Sequence, residues 1–374
     1  GLVGSEMCIR DSFLFDGTRY PTGIVTPSLI NPELTWEKST TKNLGFDFTF
    51  LQNRLTFCAD IFERKVTDIL IPGGKDYPAL IGDDNLPFEN AGVLKTTGFE
   101  LQAKWSDKLS NGFAYSVGVA LSDDKAEVLS YPSNPTNKIG DGVLYKGYTV
   151  GDIWGYETGG ILQESDFDGV GPNGKPLYHG AYFKGGQPYP GYVWYQDLDH
   201  DGVITSGLST VDDPGDKKVI GNNAPRYRYN ITANFQYKGF DLDLMFQGVG
   251  KRDYWLKDVS SYWGGGAGSW ETYNQSWTPE RTDAKFPMYG SGIGSYAQSG
   301  YLLDASYIKL KQVILGYTFP KALIGKVGLE KLRLNIAAYN LFTLSDVPKY
   351  YDSDYLSDAY PPKRTFSVGI QVGF

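Results

Sequence analysis

The segment Asp197-Leu-Asp-His-Asp-Gly-Val-Ile-Thr205 carries the densest set of metal-capable side chains in this 374-residue chain. Carboxylates stand at its first, third and fifth positions and a glycine at its sixth, the opening half of an EF-hand-like calcium loop. Hard oxygens from Asp197, Asp199 and Asp201, with the Val203 carbonyl, would gather around a hard cation while Gly202 makes the sharp turn. Position twelve is Leu208, where a glutamate closes such loops, so Asp212 or Asp213 has to complete the set across a longer span. The alternative is a solvated acidic turn. A Ca2+ bound here would be structural, pinning the segment 123–225, and no cofactor is required for chemistry.

Aromatic side chains form the second set. Trp154, Tyr156, Tyr192, Trp194, Tyr195, Trp255, Tyr262, Trp263, Trp270 and Trp277 all fall between the regular elements. Flat rings in concave loops suit sugar faces through apolar contact, and Trp154, Trp194, Trp255, Trp263 and Trp270 are the candidate substrate contacts. The competing reading is loop packing or an interfacial girdle. Gly264-Gly-Gly266 beside Trp263 lacks the strand-to-helix context of a phosphate loop. Catalysis has little support. His179 and His200 are the only histidines, and neither a nucleophile elbow nor a metal-ligand His pair occurs. The chain is not read as an enzyme.

Composition says what must hold these residues. Aromatics make up 15% of the chain, and 46 glycines accompany them, a mix that suits strands and turns better than helices. No apolar run of about 18 residues occurs, so a membrane helix is excluded, whereas a barrel strand needs only every second residue apolar. A net charge of −8 argues against nucleic acid as a partner. Cys8 and Cys58 build no disulfide framework, and Cys58 falls in a strand.

Period-two alternation predicts nine strands. They lie near 43–50, 54–61, 99–105, 113–122, 226–237, 240–247, 307–319, 332–338 and 365–374. The last is faultless, with Phe366, Val368, Ile370, Val372 and Phe374 on one face and small or polar residues on the other. Along 307–319 the apolar parity switches between Leu310 and Val313, and a β-bulge near Lys311–Gln312 would restore the face. Short connections alternate with the long segments 66–94, 123–225, 251–305 and 342–363, except that the turn 320–331 is of middling length. A transmembrane barrel has short periplasmic turns and long extracellular loops. A soluble β-sandwich has no reason to send every long loop to one end.

The predicted class is therefore all-β, a partial antiparallel transmembrane β-barrel with its C-terminus in the periplasm. Single-chain bacterial barrels have an even strand count, so nine strands are expected to be part of a larger barrel. The chain opens on Gly1 with no visible signal peptide, which suggests a missing start. Residues 1–12 look like a spurious segment of translated sequencing adapter, and 13–33 are expected to be an extracellular loop.

The motifs add a resemblance. Asn31-Pro-Glu-Leu-Thr-Trp-Glu-Lys-Ser-Thr-Thr-Lys-Asn-Leu-Gly-Phe-Asp-Phe48 followed by Asn53-Arg-Leu55 resembles a hallmark of SusC/RagA-type TonB-dependent outer-membrane transporters. So do Asn90-Ala-Gly92 before Gly98-Phe-Glu-Leu101, the acidic turn at 197–204, the run from Tyr307 to Pro320, and Tyr339-Asn-Leu-Phe342. They cover 31–374 in family order. The resemblance implies that residues 13–374 are the C-terminal portion of a 22-stranded barrel, with a plug domain and a TonB-contacting segment lying outside this chain. It implies uptake of oligosaccharides or peptides across the cell outer membrane, with TonB and a SusD-like lipoprotein as partners. It also makes Phe374 the terminal aromatic by which such barrels are recognised for insertion. The alternative function is a surface β-protein that binds glycans or adheres without transporting.

Overall fold

Nine strands, ordered as they follow in sequence and antiparallel throughout, form one sheet: β1 (Lys38–Phe50), β2 (Leu55–Pro72), β3 (Phe88–Lys108), β4 (Ala114–Ser130), β5 (Arg226–Tyr237), β6 (Phe240–Lys251), β7 (Tyr307–Thr318), β8 (Lys331–Ser345) and β9 (Thr365–Gly373). The computed structural model describes residues 14–15, 18–19, 31–73, 87–255, 273–291, 296–347, 351–356 and 362–374. Among these residues β1 and β9 are the edges of the large sheet, which does not close on itself.

The register aligns the alternation of each strand with its neighbour's. Phe48, Phe57, Ala103, Val119, Ile231, Phe246, Leu310 and Phe342 are successive cross-strand partners and make one outward apolar row. From Leu44 to Phe50 the outward run covers roughly 20 Å along the strand, close to the apolar band of about 25 Å on an outer-membrane barrel. Phe48, Val119 and Phe342 of this row are exposed, Leu310 is buried, and the outward face of β9 is bare. Phe366 is 68% exposed, Val368 77% and Ile370 67%, which is the state expected of a surface that meets lipid. The opposite face carries rows such as Asp47, Cys58, Gln102, Ala120, Asn230, Gln247, Lys309 and Thr343, the polar lining of a lumen.

The expected bulge is present at Lys311. Phe246 pairs with Leu310 while Met245 pairs with Gln312, which leaves Lys311 as the extra residue. Leu310 and Val313 thereby share the outward face despite their odd spacing.

The strand ends differ from the expectation. β2 continues to Pro72, β3 starts at Phe88, β4 runs to Ser130 and β8 to Ser345, through stretches assigned above to loops. Past Leu44 and Ile61 the outward residues become polar, so the apolar alternation stops while the backbone ladder continues. The strands stand taller than the lipid is thick. At the other end connections are short except 319–330, which holds the helical turns Lys321–Ile324 and Gly325–Val327. Lys238 (φ 48°) and Gly239 (φ 88°) make a two-residue left-handed turn, and a Cβ at 239 would sit 2.6 Å from the Thr318 carbonyl.

The long connections fold on one another above the sheet. Lys217–Asn222 pairs with Asp152–Tyr156, and Val193–Tyr195 pairs with Thr158–Ile161. Tyr156, Val193, Tyr195 and Ile204 form a buried cluster joined by Tyr301 of another connection. The two segments are also bonded directly: Tyr156 N donates to the Ala297 carbonyl at 2.9 Å, and Thr158 N to Ser299 Oγ at 3.0 Å.

Candidate functional site

The lumenal face of β2–β7 opens into a cleft of about 680 Å³. Asp60, Glu100, Gln102, Ser122, Arg228, Asn230 and Gln247 line its wall, and Arg252, Tyr307 and Asp354 close its upper end. Strand alternation positions all of the wall residues, since each is the polar partner of an outward apolar neighbour. Asn43 Nδ2 donates to Asp60 Oδ1 at 3.2 Å, and Arg228 is ion-paired with Asp124. Gly45 makes room for Asp60, because a Cβ there would sit 2.4 Å from Asp60 Oδ1. The wall thus offers amide, hydroxyl, carboxylate and guanidinium groups, the equipment for holding a polar solute by hydrogen bonds.

One loop is fastened to this wall by a buried cation. Lys309, 2% exposed, donates to Asp354 Oδ2 at 2.6 Å and Asp352 Oδ2 at 3.1 Å. Burial by itself would raise the Asp354 carboxyl, but the bonds from Lys309 and the Tyr307 hydroxyl outweigh it and hold the group below the ordinary carboxylate value. Arg252 donates from Nε to the Asn223 carbonyl at 3.0 Å and reaches the Asp354 carbonyl at 3.5 Å. Ala305, Val347 and Leu356 pack beside these contacts. None of this was visible from the sequence, because Lys309 reads as one more polar residue in an alternating strand.

The acidic turn folds around its own amides. Asp197 accepts from His200 N at 2.7 Å and Gly202 N at 2.8 Å, and Asp201 accepts from Val203 N at 2.8 Å. Oxygens of Asp197, Asp199 and Asp216 come within 4.8 Å of one another. The third carboxylate is Asp216, whereas Asp212 lies exposed and Asp213 bonds its own loop at Leu208 N, 3.2 Å. Asp216 is fully buried and accepts from Leu198 N and Thr205 N, both at 2.7 Å. The neighbouring strand Lys217–Asn222 anchors it from outside the loop, so no spacing rule marked it. Asp201 is not in this group, and Val203 lies in the short strand Val203–Ile204 beside Tyr182–Phe183. The Asp201 amide pulls the Asp199 carboxyl down, but burial and the charges of Asp216 and Asp201 override it and move the group up. Three crowded carboxylates fit a hard divalent cation such as Ca2+, which would relieve that repulsion.

The loop tryptophans are not gathered into one surface. Trp154 donates to the Tyr145 hydroxyl at 3.0 Å beside the cluster of Val128, Ile139, Tyr145 and Tyr148. Trp194 lies over Gly159, where a Cβ would meet the indole at 2.4 Å. Trp255 pairs with Leu302 in a two-stranded ladder, and Trp277, 3% exposed, donates to Gln163 Oε1 at 2.9 Å. In the described residues Trp277 therefore joins two connections, while Trp154, Trp194 and Trp255 pack within their own. Tyr262, Trp263, Gly264–Gly266 and Trp270 lie outside the described residues. His179 contacts the Asp168 carboxylate at 2.7 Å on an exposed hairpin, and His200 sits in the acidic turn.

Comparison with known proteins places this architecture. A family model described as TonB dependent receptor-like, β-barrel, matches residues 11–341. TonB-dependent receptor P3 of Formosa agariphila is 27% identical over 96% of this chain and 36% of its own length. TonB-dependent receptor SusC of Bacteroides thetaiotaomicron is 26% identical over 96% of this chain and 34% of its own. The chain spans about a third of the length of these curated relatives. A solved structure of the RagAB peptide transporter superposes with a TM-score of 0.70 at 20% identity, over 97% of this chain and 38% of that one, a likeness of fold.

Proposed function

The chain belongs to the TonB dependent receptor-like β-barrel family of the outer membrane, and from that premise we propose that it forms part of an importer. The cargo in this reading is an oligosaccharide or a peptide. A plug and a TonB-contacting segment, both outside these 374 residues, would couple import to TonB. The layer of folded loops is the face that a SusD-like lipoprotein would cover. The observation that supports this best is the lumenal cleft, where polar and charged wall residues lie beneath loops that are fastened to the wall at Lys309. Its groups suit reversible binding rather than bond breaking, in keeping with a role without catalysis.

Uptake of labelled cargo tests the reading. Cells carrying the whole receptor and its lipoprotein should accumulate labelled oligosaccharide or peptide only when TonB is active. Surface binding without accumulation in TonB-competent cells would instead favour a non-transporting glycan-binding or adhesive protein.

A further inference from the structure

Immediately above the apolar band the outward face of β1–β4 turns basic. The last apolar partners in register are Leu44, Ile61 and Phe99. The next outward row is Lys42, Glu63, Thr97 and Lys125, and the one above it is Thr40, Lys65, Lys95 and Glu127. Four lysines thus stand against two glutamates on a chain whose net charge is −8. Lys65 and Lys95 are direct cross-strand partners, an arrangement of like charges that costs stability unless an anion sits between them. Lys42 reaches Glu63 at 4.0 Å, but among the described residues Lys65, Lys95 and Lys125 close no ion pair. The folded loops pack on the opposite face of these strands, against Leu94 and Val128, and among the described residues Lys42, Lys65 and Lys125 are exposed on the lysine face.

We infer that this patch binds the phosphorylated headgroup of an outer-leaflet lipid. The occupant follows from continuity and charge. The lysines prolong the lipid-facing surface by one and two rows, which is the depth at which a headgroup lies when its acyl chains run along Leu44, Ile61 and Phe99. Lysine clusters at a membrane surface attract anionic headgroups by roughly a factor of five per residue. A phosphate between Lys65 and Lys95 would neutralise the opposed pair, with Lys42 and Lys125 flanking it.

Native mass spectrometry of the whole receptor tests this, with detergent-purified protein exposed to vesicles of phosphatidylcholine and bisphosphorylated lipid A. The wild type should retain the phosphorylated lipid. K65Q/K95Q should hold about thirtyfold less, K65R/K95R should retain it, and K104Q, on the lumenal face, should be unaffected. Heat-modifiable gel mobility confirms that each variant is folded. Equal retention by K65Q/K95Q would overturn the inference, as would equal binding of dephosphorylated lipid A. So would displacement of the lipid by inorganic phosphate alone at low concentration, which would make the site one for the free ion.

Discussion

Lys309 and Asp354 meet at 2.6 Å although 45 residues separate them, joining the lumenal wall of β7 to the connection that precedes β9. The contact is buried on the lysine side, so it fixes the loop at one position over the cleft.

Replacing Lys309 by Met should free residues 351–356. It would leave Asp352 and Asp354 with only the more distant Lys311, 3.9 Å from Asp354, in place of the buried ammonium, at a cost of about 3 kcal/mol. Asp354→Asn should cost about 1–3 kcal/mol, since Asp352 still engages the ammonium. The Asp354 carboxyl is depressed in the folded state, so its contribution is present above the unfolded carboxylate value of 3.8 and is lost as pH falls through the lower folded value. Hydrogen exchange at 351–356 should therefore stay slow from neutral pH down to that region and quicken below it. In Asp354→Asn the acid-induced loosening should be largely missing.

Calcium should stabilise the loop layer in the wild-type receptor, by about 2.7 kcal/mol at a hundredfold excess over its dissociation constant. Asp197→Asn and Asp216→Asn should abolish that thermal shift, whereas Asp212→Asn should keep it. A receptor whose melting ignores both Ca2+ and chelator would leave the turn a solvated one.

The two faces of β9 can be separated by one residue. Val368→Arg puts a charge on the lipid side and should cost about 2–4 kcal/mol on folding into vesicles. Ser367→Arg, its immediate neighbour, points to the lumen and should fold almost normally. Equal penalties would contradict the assignment of faces.

Deletion of Lys311 probes the bulge. Without the extra residue, 307–310 slip to the opposite face, turning Lys309 toward lipid and Ile308 and Leu310 into the lumen. The variant should fail to insert, as read by loss of the heat-modifiable band. An added residue at 312 should rescue it, because it restores the spacing of Leu310 to Val313 and with it the outward face of 307–310.

The alternating strands were legible because each is a local pattern read against two fixed environments, lipid outside and water inside. Even the bulge at Lys311 showed itself, as a break of parity. The strand ends beyond Leu44 and Ile61 were not legible, since above the lipid both faces are wet and alternation loses its meaning while backbone pairing goes on. Asp197 and Asp199 could be found from spacing, but Asp216 could not.

By itself the sequence determined the antiparallel sheet, its order, the face each residue takes and the end at which the long connections lie. All of these follow from a period of two and from the short turns that force neighbouring strands together. Only the tertiary structure decided that the long connections form a packed layer, that Trp277 joins two of them, and that Lys309 holds Asp354. Most of those contacts join residues dozens to more than a hundred positions apart, as Lys309 with Asp354 and Trp277 with Gln163, and their energy comes from burial and charge pairing that no local pattern encodes.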